Sequence, residues 1–210
     1  LYINDPSAYY QGLFGYVGSG ATAENVGVEN SYISAGDYVG GVAGWNDGTI
    51  QICYNTGTVI TADTAYVGGV VGDNDGTVQN CYNTGAVTGG YSARVGGVVG
   101  SNSEIVQTSY NIGPITGGNE TFTGGVVGGN YGIVQTSYNT GKVAGGGSTG
   151  WMTYTSIGGV VGFNDYNRTV QSCYNIGVVT GDVNVGGVVG SGSGTIQTSY
   201  YLEGTASAGI

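Results

Sequence analysis

The sequence predicts an all-β chain wound as a right-handed parallel β-helix, a solenoid of about seven rungs with about 28 residues and three short strands per rung. Three observations carry the prediction. A Gly-Gly-Val motif recurs at a nearly fixed interval, β-branched residues are bounded by Gly, Asn and Asp clusters, and none of these short segments has the length of a helix. The markers Val42, Val70, Val98, Val126, Val160 and Val188 stand 28, 28, 28, 34 and 28 residues apart. A Tyr follows each marker after 12 residues, or 14 in the fifth copy. A unit of this size cannot bury an apolar face alone, so the copies must stack.

In chain order, residues 1–38 read as a divergent first rung or N-terminal cap, continuous with the solenoid of residues 39–210. Gly12-Leu13-Phe14-Gly15 stands where later copies have Gly-Val-Val-Gly, and Val26 to Tyr32 replaces the Gln-x-Cys-Tyr run. From Val39 on, each copy offers three strand segments. These are Val-Gly-Gly-Val-Val-Gly, then Thr-Val-Gln-x-Cys-Tyr, then a short run at Val59, Val87, Ile115, Val143 and Val179. The intervening Asn-Asp-Gly and Asn-Thr-Gly clusters are turns in which Asn and Gly tolerate positive φ. Pro114 directly precedes the third segment of its copy and must occupy a turn or strand start, because Pro cannot donate to an interior ladder. Ala206 to Ile210 carries no cap signature, which leaves an open end able to pair with another chain.

Right-handedness is expected from the handedness of parallel β connections. Stacking at roughly 4.8 Å per rung would give seven rungs a core about 30 Å long. Equivalent side chains then form columns along the axis. Gln51, Gln79, Gln107, Gln135, Gln171 and Gln197 are expected to bond amide to amide, and Asn55, Asn83, Asn111, Asn139 and Asn175 to hold turns, with Tyr201 breaking the Asn column at the last rung. Strand parity predicts that Val70 and Val71 face opposite ways, so that one Val column points outward unless a bulge intervenes. The Thr column Thr49, Thr77, Thr169 and Thr195 raises ice binding, but Ile105 and Ile133 interrupt it.

Composition removes several classes. The 46 Gly are not spaced every third residue, which excludes collagen. Arg94, Lys142 and Arg168 are the only cations against 13 acids, so neither nucleic acid nor an anionic membrane is an expected partner. No apolar run is long enough for membrane insertion as a helix. The chain opens on Leu1 without a signal-peptide pattern, which suggests a segment of something longer. Cys53, Cys81 and Cys173 share one column with Ser109, Ser137 and Ser199, which indicates a small slot; in-register parallel positions are poor disulfide geometry.

Two sets of residues are candidates for binding. The column Tyr54, Tyr82, Tyr110, Tyr138, Tyr174 and Tyr200 is either a face for stacking sugars or a structural stack. Asp47, Asp73 and Asp75 are the carboxylates that could contribute to a calcium site, although later copies carry Ser101, Gly129 and Ser191 in the column of Asp73. No other cofactor is expected. Without His, Ser-His-Asp and Cys-His catalysis are unavailable, and a polysaccharide-cleaving β-helix would need more clustered carboxylates and cations than this chain has. No enzyme is expected.

The succession Gly12-Leu13-Phe14-Gly15, repeated Val-Gly-Gly-Val-Val-Gly and Gly-Thr-Val-Gln-Asn-Cys-Tyr-Asn-Thr-Gly resembles the GLUG-motif repeats over about residues 11 to 200, with Val replacing the Leu of the motif name after the first copy. The resemblance implies a large secreted or cell-surface bacterial protein, as in adhesins and the non-catalytic regions of immunoglobulin A proteases. It carries no catalytic residues. The expected role is an extracellular module for adhesion or spacing, with glycan, host or neighbour-cell protein, flanking domains or self-association as partners; a self-assembling rod is the alternative.

Overall fold

The computed structural model describes residues 1–148 and 155–206. They form strands and turns, with no helix among the described residues. Four parallel sheets run along the molecule, one of 12 strands and three of seven, so that the coil passes through seven rungs. The open end expected at Ala206 to Ile210 lies, from residue 207 on, outside the described residues.

The rung that begins at Tyr66 shows the pattern. Its strands are Tyr66–Gly68, Val71–Asn74, Thr77–Gln79, Tyr82–Asn83 and Val87–Gly89, which is five where the sequence suggests three segments. All three segments are present, but the first two are bent in the middle. At the first bend, the amides of Val70 and Val71 both donate to Val98 O, at 3.0 and 2.9 Å. This shared acceptor repeats at Val42 and Ala43 on Val70 O and at Val98 and Val99 on Val126 O. The bend turns both residues inward. Val70 and Val71 are fully buried, and the expected outward Val column does not exist. Each such Val contributes about 1.5–3 kcal/mol by leaving water, which favours the corner over an exposed apolar stripe.

The second bend falls between Gln79 and Cys81, and Asn80 there adopts φ +54°. Ile52, Thr108, Thr136 and Ser172 occupy the same left-handed corner. The left-handed residues are therefore not those of the Asn-Thr-Gly turns. Gly85 in such a turn is needed for another reason: a Cβ there would lie 1.8 Å from Gly57 O, because the turns stack backbone on backbone.

Two core clusters fill the coil. One joins Val70, Val71, Val78 and Cys81 with their equivalents, and the other joins Val59, Val67, Val87 and Val95. Buried Asn columns serve the polar backbone at the turns. Asn83 Nδ2 donates to Gly85 O at 2.8 Å and to Asn111 Oδ1 at 2.9 Å, while its Oδ1 accepts from Gly85 N. A second Asn ladder, not recognised from the sequence, runs through Asn46, Asn74, Asn102, Asn130 and Asn164 at 2.7–2.9 Å. The expected Gln ladder is present from Gln51 to Gln171, at 2.7–2.8 Å per step. Sequence insertions do not break these ladders: Asn139 and Asn175 are 36 residues apart yet bond at 2.8 Å. Tyr201 pairs with Asn175 where the next Asn would stand, and its ring lies directly on Gly187.

Residues 1–38 supply a first rung in register with the second. Phe14–Val17, Thr22–Glu24 and Gly27–Val28 pair with the strands above them, and Tyr2–Gln11 lies along Tyr32–Gly40. Ile115 begins the strand after Pro114, as the Pro requires, and Pro114 O accepts from Val87 N.

Candidate functional site

The Tyr column is a tight stack. Successive rings from Tyr54 to Tyr174 lie 4.8–5.0 Å apart with interplanar angles of 3–6°. The ring of Tyr54 also covers Gly27, where a Cβ would sit 2.2 Å from its Cζ. Ring faces inside the column are therefore occupied by neighbouring rings. The column presents edges and hydroxyls to solvent, and Tyr54 donates its hydroxyl proton to Glu29. Tyr200 continues the backbone pairing of this column and is 65% exposed.

A second aromatic surface crosses the boundary between the strand that opens each rung and the strand after its first bend. Tyr10, Tyr38, Tyr66, Arg94 and Phe122 occupy equivalent positions on the former. Tyr16, Trp45, Asp73, Ser101, Gly129 and Phe163 do so on the latter. The two columns meet. Trp45 lies 5.7 Å from Tyr10 and 5.3 Å from Tyr38, tilted by 49° and 32°. Farther along, the Arg94 guanidinium lies over the rings of Tyr66 and Tyr131, at 4.4 and 4.9 Å, and Phe122 stacks on Phe163 at 4.7 Å. A continuous aromatic belt thus spans most of the rod. Trp45 and Phe163 could have been found in the sequence by completing the column of Asp73. Tyr10 and Tyr38 reach it from another strand, which only the coil geometry reveals.

The three Asp residues sit near one end of this belt without forming a cluster. No group of three or more acidic or Cys side chains placed to hold a metal occurs among the described residues. Asp47 accepts from the Tyr16 hydroxyl at 3.2 Å. Asp73 is buried and its Oδ1 has no hydrogen-bond partner. Burial, reinforced by the charge of Asp75, pushes the Asp73 carboxyl up to about 6; the Ser101 hydroxyl and Arg94 act in the opposite direction. The attraction of Arg94 and the Ser101 hydroxyl therefore offset only part of the desolvation.

The three Cys are free and buried. Cys81 and Cys173 direct Sγ to the carbonyls of Gln79 and Gln171 at 3.2 Å, the role that Ser109 and Ser137 fill with hydroxyls at 2.8 Å. The column is a packing slot, and burial pushes the Cys173 thiol up to about 11. The Thr column pairs Thr22, Thr49 and Thr77 but continues through Ile105 and Ile133 before Thr169. No helix among the described residues is long and apolar enough to cross a membrane.

Residues 63–88 match the family described as the GLUG motif. No curated protein and no solved structure matches the chain.

Proposed function

Taking the chain as a GLUG-repeat β-solenoid, we propose that it is a non-enzymatic spacer of a secreted or surface-attached bacterial protein, holding flanking domains at a set distance. The observation that carries this reading is the satisfaction of polar side chains rung by rung. The Gln and Asn columns use their amides on one another and on turn carbonyls, so the repeat invests its polar groups in an extendable rod. A second reading, adhesion, is supported by the aromatic belt, where exposed Tyr10 and Tyr16 border a cleft beside half-buried Trp45.

Both location and spacing are testable. A tagged chain on the producing bacterium should be cleaved by added protease while the cells are intact; protection until lysis would reject the extracellular placement. Removal of 71–98, one period, should leave a folded rod shortened by about 4.8 Å in small-angle scattering, and removal of 71–126 should double that loss. An unfolded product or an unchanged length would reject the modular spacer.

A further inference from the structure

We propose that the cleft formed by Tyr10, Tyr16 and Trp45 at the first two rungs binds a neutral saccharide chain. The cleft has a volume of about 460 Å³ and is floored by Gly15. That size falls within the usual range for a small-ligand site. Gly15 lets the two backbone segments that carry Tyr10 and Tyr16 approach closely, since a Cβ there would come within 2.9 Å of Tyr10 O. Tyr16 is 58% exposed and is in no ring stack with a neighbouring rung, whereas Tyr10, 41% exposed, has one face stacked on Tyr38 at 4.9 Å and borders the cleft with the rest of its ring. The apolar face of a pyranose ring would pack on these aromatic surfaces, while its hydroxyls would meet the Tyr16 hydroxyl and the Asp47 carboxylate at the rim.

Charge selects the saccharide class. The chain carries a formal net charge of −10 with only three cations, and Asp47 stands at the rim of the cleft. A uronate or sialylated chain would be repelled, whereas a neutral one can donate hydroxyl protons to the same carboxylate. Backbone conformation supplies a further argument. Tyr10 and Tyr38 hold φ of +55° and +52°, a region that disfavours side chains, and both send aromatic rings to Trp45. The columns also differ in kind. The Gln column repeats one residue at every step from Gln51 to Gln171, but the column of Tyr16, Trp45, Asp73 and Ser101 changes at each step. Such variation individualises this part of the surface.

This inference names the ligand class of the adhesive reading and rests on it for its biological setting. The purified 210-residue chain should be titrated with neutral gluco-, manno-, galacto- and N-acetylglucosamine oligosaccharides, with uronate and sialylated oligosaccharides as parallel arms. At least one neutral series should bind and change tryptophan emission. Trp45→Ala and Tyr16→Ala should each weaken binding at least tenfold with melting curves that remain cooperative, Trp45→Phe should retain part of it, and Tyr110→Ala should change it less than twofold. Should Trp45→Ala not fold, Tyr16→Ala and Trp45→Phe decide. Absence of neutral binding, binding confined to acidic oligosaccharides, or binding indifferent to Trp45 and Tyr16 would overturn the proposal. A negative result with adhesion of intact cells retained would remove the ligand class and leave the adhesive reading; protection of the chain from added protease would remove the extracellular setting without affecting the cleft.

Discussion

At the scale of single residues, Asp73 shows what one member of a variable column costs. The rung on one side places half-buried Trp45 there, and the next two rungs on the other side place Ser101 and Gly129, which are compatible with burial. Asp73 loses hydration and gains only partial compensation from Ser101 and Arg94, with Asp75 opposing it. Its folded pKa of about 6 lies above the ordinary carboxylate value, so folding favours the protonated form. The stability associated with that preference is fully present below about pH 4 and is lost as pH rises through 6. Asp73→Asn should therefore be more stable than the parent at pH 7.5, by at most about 3 kcal/mol. The difference in melting temperature between variant and parent should grow from pH 4 to pH 7. A constant difference would show that Asp73 ionises alike in the folded and unfolded chains, so that burial does not raise its pKa.

At the scale of elements, the corners distinguish what was legible in the sequence from what was not. The strand segments could be read because Val, Thr and Ile runs end at Asn, Asp and Gly, and Pro114 independently marks a strand start. The inward turn of both Val70 and Val71 could not, since parity assumes a straight strand and the bend depends on Val98 O accepting two amides from another rung. Nor does local preference identify the corner at Ile52, where a β-branched residue takes φ +53° while its equivalent in the next rung is Asn80. The left-handed conformation costs an L-residue roughly 1–2 kcal/mol, and Asn is among the few that relieve it locally. Ile52 is 49% exposed, so little packing would be lost. Ile52→Asn should raise stability by about 0.5–1 kcal/mol in urea unfolding. A lower midpoint would mean that the exposed Ile contributes more by packing than the corner costs.

At the scale of the whole molecule, repetition made the rod legible, while the aromatic belt required the winding of the coil to bring Tyr10 and Tyr38 beside Trp45. Stacking also sets the direction of the bonds. Backbone hydrogen bonds and amide ladders run from rung to rung, along the long axis, and the first and last rungs lie at opposite ends of the stack. Tension between flanking domains would load the rungs in series, so that each could peel away before the next yields. One rung holds 28 residues and would release about 95 Å of extended chain. A force–extension trace should show repeated small ruptures with roughly that spacing, less the thickness of the rung lost; one large rupture would show that the rungs fail together. With stepwise yielding, the rod would act as a ratcheted shock absorber, lengthening under load while its remaining rungs still hold.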